Sequence, residues 1–131
     1  MTPDLTWLVD DPWTQEVREL LGAMDQGVEI VIVEGQRDRS ALRKGGVTCT
    51  IRTCAQSGGL VAFSESIDTY PVAILTDYDP AGKQLNARLR DLLPDATVDP
   101  RWRRDLGALL TQQGHYDIES LNKVFDTTYW G

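Results

Sequence analysis

The sequence is poor in cysteine and contains no long hydrophobic run. Its two cysteines, Cys49 and Cys54, are five positions apart without a Cys-x-x-Cys pair, which disfavours a zinc site and favours reduced, partly buried thiols. No stretch approaches the roughly 18 to 20 apolar residues that span a bilayer, and the first residues lack the pattern of a signal peptide. These absences predict a cytoplasmic protein that does not enter a membrane.

Positive charge is also scarce. The formal net charge is -7, and the chain has three lysines, Lys44, Lys83 and Lys123. Proteins that coat nucleic acid do so with Lys and Arg that neutralise phosphates, so this balance argues against binding through overall basicity. Local basic patches remain compatible with it. A length of 131 residues, of which 41% are hydrophobic and 25% charged, fits a single domain over 1–131.

Runs of β-branched and apolar residues alternate with helical patterns. The predicted strands are "VEIVIV" at 28–33, "VTCTI" at 47–51, 72–76 after Pro71, and a short one near 96–98. An N-terminal helix is predicted at 12–25 with Asp11 as N-cap, and Asp79 is expected to cap a helix that ends before Pro94. Further helices are expected from Asp38 to Leu42, near 60–67, around 106–110, and at about 117–125. This alternation predicts an α/β domain with about four mostly parallel strands flanked by helices.

Acidic residues follow two of these strands directly. Glu34 ends the first, and Asp77 and Asp79 follow the third. Ligands of parallel α/β sheets usually bind at the carboxyl ends of the strands, and residues two apart in an extended segment face the same way. Neighbouring carboxylates repel each other unless a cation, hydrogen bonds or solvent compensates them. We therefore expect the three acids to converge on one cation if the two strands are neighbours.

The same residues carry a family resemblance. "VIVEGQRD", which contains Glu34, Gly35 and Asp38, and the later "ILTDYDPAG" resemble the two signatures of the Toprim domain. That catalytic domain is shared by topoisomerases, bacterial primases and several nucleases. The resemblance implies a compact Rossmann-like Toprim core over about 28–98, with a C-terminal helical extension at 101–131.

The resemblance also implies residue roles. Asp77 and Asp79 would bind Mg²⁺, with Mn²⁺ as a substitute, and Glu34 would be a general acid/base or a further ligand. Asp38 would be a supporting acid or a helix cap. An acidic set without histidine or cysteine also suits Mg²⁺ better than zinc on chemical grounds. Each acid has a simpler interpretation as well, because strand ends, turns and N-caps often carry carboxylates.

Basic and glycine residues near the two motifs are candidate phosphate contacts. They are Gly35, Arg37, Gly82 and Lys83, with Arg39, Arg43 and the "RWRR" segment at 101–104 as weaker candidates. The simpler interpretation is turn chemistry for the glycines and solvated charge for the basic residues. Glu119 in "DIESL" is a possible further acid near the sheet, although capping by Asp117 also explains that segment.

Departures from the larger Toprim enzymes narrow the function. The chain has no room for the separate domain that carries a topoisomerase tyrosine, nor for the zinc module of primases. We therefore predict a small Mg²⁺-dependent nuclease acting on RNA or DNA. The alternative is a non-catalytic Toprim module that binds nucleic acid or a partner protein. The aromatic pair Tyr129 and Trp130 is compatible with a homodimer.

Overall fold

Helices cover both faces of a parallel sheet in the computed structural model, which describes residues 11–55, 58–94 and 97–126. The strands are β1 (Ile30–Val33), β2 (Thr50–Thr53) and β3 (Val72–Ile74), arranged in the order β2-β1-β3 with both pairings parallel. The helices are α1 (Pro12–Gly27), α2 (Gln36–Lys44), α3 (Leu60–Glu65), α4 (Pro80–Leu92), α5 (Arg101–Gln112) and α6 (Leu121–Val124). The predicted α/β class is confirmed, and β1 lies between the other two strands.

The core is divided by the sheet into two hydrophobic clusters. Val31, Val33, Ala73 and Leu75 pack against α1, α2, α5 and α6 on one face. On the opposite face, Ile30, Ile32, Val72 and Ile74 pack with Phe63 of α3 and Leu89 of α4. Burial on both faces explains why β1 and β3 are almost uninterrupted apolar runs rather than alternating patterns.

The fourth predicted strand is reduced to one contact in the described part of the chain. Val98 forms an isolated parallel bridge with Val72, and the Asp99 N–H donates to the Val72 carbonyl at 2.9 Å. The prediction of about four strands is therefore too high by one for the residues that the structure describes. Residue 96 of that predicted strand lies outside them, as do the first ten residues and the aromatic pair Tyr129 and Trp130.

Strand β2 begins three residues later than the sequence predicts. The N–H groups of Thr48 and Cys49 donate to one carboxylate oxygen of Asp25, at 2.9 and 2.8 Å, and the Thr48 hydroxyl donates to the other at 2.7 Å. Arg43 donates to the carbonyls of Val47 and Cys49, at 2.8 Å each. Side chains thus satisfy main-chain groups that a strand would pair with its neighbour, and regular pairing starts only at Thr50.

Two helix starts agree with the predicted Asp-Pro caps. Asp11 accepts the N–H of Thr14 and Asp79 accepts that of Gly82, each at 2.7 Å, and a proline follows each cap. The prediction that Asp38 is an N-cap is wrong. Helix α2 begins at Gln36 with Gly35 as its cap, and the Asp38 carboxylate reaches back from the first turn to accept the Gly35 N–H at 3.0 Å.

The C-terminal helices also differ from the predicted bounds. The "RWRR" segment is the first turn of α5 rather than a turn before it. Helix α6 starts at Leu121, after a separate turn in which Asp117 accepts the Ser120 N–H at 2.8 Å. Because the Asp117 side chain takes the N–H of Ser120, the helix begins later than the sequence predicts. No helix among the described residues is long and apolar enough to cross a membrane.

Candidate functional site

Two acidic side chains meet where β1 and β3 end. The strands are hydrogen-bonded neighbours with Ile32 opposite Ile74, so their carboxyl ends lie side by side. Glu34 is the first residue after β1, and Asp77 is the third after β3. Their side chains lie close together, and both the contact with Asp77 and its negative charge raise the pKa of Glu34. Two ionised carboxylates repel each other, and a shared proton or a cation would offset that repulsion.

The site raises the pKa of Glu34 to about 7. Burial is the largest cause, followed by the contact with Asp77 and by the negative charges of Asp77, Asp38 and Asp79. A carboxyl group with this pKa exchanges a proton near neutral pH, which is the property required of a general acid/base. A pKa shifted by both burial and specific charged neighbours is also typical of functional sites.

Asp38 lies beneath the turn that follows Glu34. The residue is only 7% exposed, and burial raises the pKa of its carboxyl group to about 6. The hydrogen bond from the Gly35 N–H acts in the opposite direction and lowers this pKa. The charges of Asp77, Glu119 and Asp117 raise it further. Glu119 is therefore close to the site, as the sequence suggested. Asp117, expected only as a helix cap, contributes its charge as well.

Main-chain donors hold three aspartates of the site in position. Asp77 accepts the N–H of Ile118 at 2.9 Å, Asp38 accepts that of Gly35, and Asp79 accepts that of Gly82. Each carboxylate would lose a hydrogen bond if it turned away from its neighbours. The repulsion between them is therefore retained by the fold rather than relieved by rotation of the side chains.

Arg103 holds the main chain of the site, a role that the sequence does not predict. Its guanidinium donates to the carbonyl and hydroxyl of Thr76, at 3.2 and 3.1 Å, and to the carbonyl of Asp77. It also lies 4.6 Å from the centre of the Tyr78 ring. The side chain thus braces the main chain that carries Asp77. In sequence it is one of several arginines in "RWRR", and nothing there distinguishes it from the others.

The predicted phosphate contacts are not all available to a ligand in the same way. The N–H groups of Gly35 and Gly82 are already used by Asp38 and Asp79, so a phosphate would have to compete for them. Arg37 is exposed at the start of α2, and Lys83 is exposed in the first turn of α4. Arg43, a weaker candidate, is held by two carbonyls instead.

The donors at the site fit a hard cation by their chemistry. Within the described ranges, no group of three or more His, Cys, Asp or Glu side chains is arranged to hold a metal ion. Mg²⁺, however, is usually bound through one or two carboxylates and takes its other ligands from water and substrate phosphates. The contact between Glu34 and Asp77 supplies two carboxylates whose repulsion a cation would offset.

The pH dependence of stability follows from the raised pKa values of Glu34 and Asp38. Between about pH 4 and 7 the folded protein binds more protons than the unfolded chain, so the free energy of unfolding falls as pH rises. Without added metal, Glu34→Gln is therefore expected to be more stable than wild type at pH 8 and no more stable near pH 4. The expected difference at pH 8 is about 1 kcal/mol, because solvent screens charges at the half-exposed position of Glu34.

Urea denaturation in the presence of a chelator measures this difference at both pH values. Glu29→Gln is the matched control, because Glu29 is exposed just before β1 at the opposite end of the same strand. It should follow wild type at both pH values. Parallel pH profiles for wild type and Glu34→Gln would contradict the prediction.

Comparison with known proteins identifies the family. No family model matches the chain. A UPF0292 protein of Pyrococcus furiosus is 35% identical over 104 residues, which cover 77% of this chain and 79% of that protein. A solved protein structure from Aquifex aeolicus superposes with a TM-score of 0.57 at 22% identity, covering 91% of this chain and 99% of the other, and therefore supports the fold alone. The identity and coverage of the Pyrococcus furiosus relative show that this chain belongs to the UPF0292 family.

Proposed function

We propose that this protein performs Mg²⁺-dependent phosphodiester chemistry on nucleic acid, as a small nuclease of the Toprim class. The observation that carries this proposal is the contact between Glu34 and Asp77 at the ends of adjacent strands. The N–H of Ile118 holds the Asp77 carboxylate beside Glu34, at the edge where ligands of parallel sheets bind. The two acidic motifs that resemble the Toprim signatures are the segments that supply this pair.

Each acid has a distinct role in the proposal. Asp77 and Asp79 would hold Mg²⁺ or Mn²⁺, which when bound stabilises negative charge on a phosphate. Glu34 transfers a proton to or from the attacking or leaving oxygen, a role that suits a group with a pKa of about 7. Asp38 holds the N–H of Gly35 and so positions the turn that carries Glu34.

The residues around Asp77 keep this arrangement in place. Arg103 holds the Asp77 carbonyl, and the Ile118 N–H holds one oxygen of its carboxylate. The site therefore depends on α5 and on the turn before α6 as well as on the strands. Holding Asp77 in place in this way lowers the entropic cost of bringing catalytic groups and substrate into reactive alignment.

A non-catalytic module that binds nucleic acid or a partner protein is the alternative. The net charge of -7 favours this alternative in its partner-protein form, because it argues against binding nucleic acid through overall basicity. Labelled single-stranded and double-stranded RNA and DNA, incubated with Mg²⁺, Mn²⁺ or chelator, distinguish the two functions. Metal-dependent cleavage is expected from the nuclease. A folded wild-type protein that binds these substrates but cleaves none of them with either metal would favour the alternative.

Metal binding is expected to raise thermal stability, because a cation relieves the repulsion among the carboxylates. Mg²⁺ or Mn²⁺ should increase the melting temperature of wild type by a few degrees at millimolar concentration, as expected for a weak, open site. Differential scanning calorimetry with Asp77→Asn plus Asp79→Asn should show no such increase. Equal responses in the two proteins would exclude these aspartates as the site.

We also propose a cytoplasmic location. Cys49 is a free thiol that is partly buried, and burial raises its pKa to about 11. A reduced thiol of this kind suits a reducing compartment.

A further inference from the structure

A basic pocket lies beside the exit of β3, between α4 and α5. Its volume is about 510 Å³, within the range of small-molecule sites. Ile74, Val98 and the Tyr78 side chain form an apolar part of its wall. The pocket shares Arg103 with the brace of Asp77 but contains none of the acids of the candidate site.

Among the described residues, four cationic side chains line the pocket: Lys83, Arg90, Arg103 and Arg104. No acidic side chain is among its described lining residues, although the whole chain has a net charge of -7. Such a concentration of positive charge in an acidic protein indicates an anionic ligand.

Of the lining cations, Lys83 and Arg90 are the two that are available to bind an anionic ligand. Arg104 is paired with Asp105 at 3.0 Å, and Arg103 is held by main-chain carbonyls. By contrast, Lys83 and Arg90 are exposed and form no ion pair with any other residue that the structure describes. They are two helical turns apart on α4, with Asn86 between them, so all three polar side chains share the face that lines the pocket.

Two tyrosines give the pocket flat apolar surfaces. The Tyr78 ring packs directly against α5, because a Cβ at Gly107 would lie 2.5 Å from it, and its hydroxyl donates to the Arg103 carbonyl at 2.8 Å. Tyr116 is 56% exposed at the pocket, and its carbonyl accepts the Tyr78 N–H at 2.8 Å. One ring is thus fixed in the wall, and the other is presented to solvent beside the cations.

We propose that this pocket binds a nucleotide, with the phosphate at Lys83 and Arg90 and the base stacked on Tyr116. Stacking on an exposed aromatic ring together with cations for the phosphate is the combination that single-stranded nucleic acids require. A free mononucleotide and one nucleotide of a single strand present the same chemistry to the pocket. The site is separate from the acids of the proposed nuclease and requires no metal and no cleavage.

Binding is tested in chelator, where the proposed cleavage cannot occur. Fluorescence anisotropy measures the affinity for a single strand, with labelled oligo(dT) and oligo(rU). Calorimetry measures the affinity for a free nucleotide, with AMP and UMP. Lys83→Gln plus Arg90→Gln is expected to weaken binding at least about tenfold and to reduce its salt dependence. Tyr116→Ala is expected to weaken it about fivefold or more. Affinity for the oligonucleotides alone would assign the pocket to a strand, and affinity for AMP or UMP would assign it to a free nucleotide.

The matched control removes the same charge elsewhere. Arg88→Gln plus Lys44→Gln changes two exposed cations that do not line the pocket. The proposal is overturned if this control weakens binding as much as the pocket variant, since net charge would then explain the effect. It is also overturned if wild type binds no nucleotide, or if inorganic phosphate competes as well as AMP.

Discussion

Glu34→Gln is expected to slow Mg²⁺-dependent cleavage of nucleic acid about a hundredfold or more while the fold and most of the substrate affinity are retained. Glutamine keeps the size of glutamate and can still donate a hydrogen bond to Asp77. It cannot exchange a proton, and Glu34 is the group whose pKa the site places at about 7. The loss should therefore appear in the rate of the chemical step rather than in substrate binding.

Single-turnover cleavage and anisotropy separate these two quantities. Binding has to be measured on its own, because the removal of a negative charge near phosphates can tighten the complex and mimic a loss of turnover. Glu29→Gln, which makes the same chemical change at the far end of β1, should cleave like wild type. Unchanged cleavage by Glu34→Gln would leave the nuclease in place but remove Glu34 as its general acid/base.

Gly82→Ala is expected to reduce the free energy of unfolding by about 3 kcal/mol. A Cβ at this position would lie 2.1 Å from the Asp77 carbonyl oxygen and 2.5 Å from the carbonyl carbon. Both atoms belong to the main chain, so no side chain can move aside to make room. Either α4 or the exit of β3 must shift, and the hydrogen bond from the Thr76 hydroxyl to the Gly82 carbonyl, 2.8 Å long, would be strained.

The same substitution at Gly22 provides the control. Gly22 is exposed within α1, and a Cβ there would have no neighbour within 4 Å among the residues that the structure describes. Gly22→Ala is therefore expected to stabilise the protein by about 0.5 to 1 kcal/mol through helix propensity. Urea denaturation compares both variants with wild type. If Gly82→Ala were as stable as wild type, the close approach of α4 to Asp77 would be refuted.

Gly82 has a packing role in addition to the role predicted from its motif. Gly82 follows Asp79 by three residues, and the sequence predicts that its main chain approaches a phosphate, which stays a prediction. The structure adds a packing requirement, because the helix passes directly over the Asp77 main chain. Distances between segments of this kind cannot be read from local sequence, since they depend on how strand and helix pack.

Elements with strong local signals were predicted well. The Asp-Pro caps of α1 and α4 form as expected, because an N-cap is decided by residues three positions apart. The apolar runs of β1 and β3 also became strands. Strand β2 was predicted too early because Asp25, more than twenty residues away, takes the N–H groups of Thr48 and Cys49.

The sequence by itself determined the α/β class and the order in which acids follow strands, because periodicity, caps and β-branched runs act over a few residues. Only the tertiary structure decided that β1 and β3 are neighbours and that Glu34 lies close to Asp77. It also decided that Arg103 both holds the Asp77 carbonyl and lines a basic pocket. Those relations join residues more than twenty positions apart. Their charges and hydrogen bonds act through space, so they exist only once the sheet order and the packing of α5 bring the residues together.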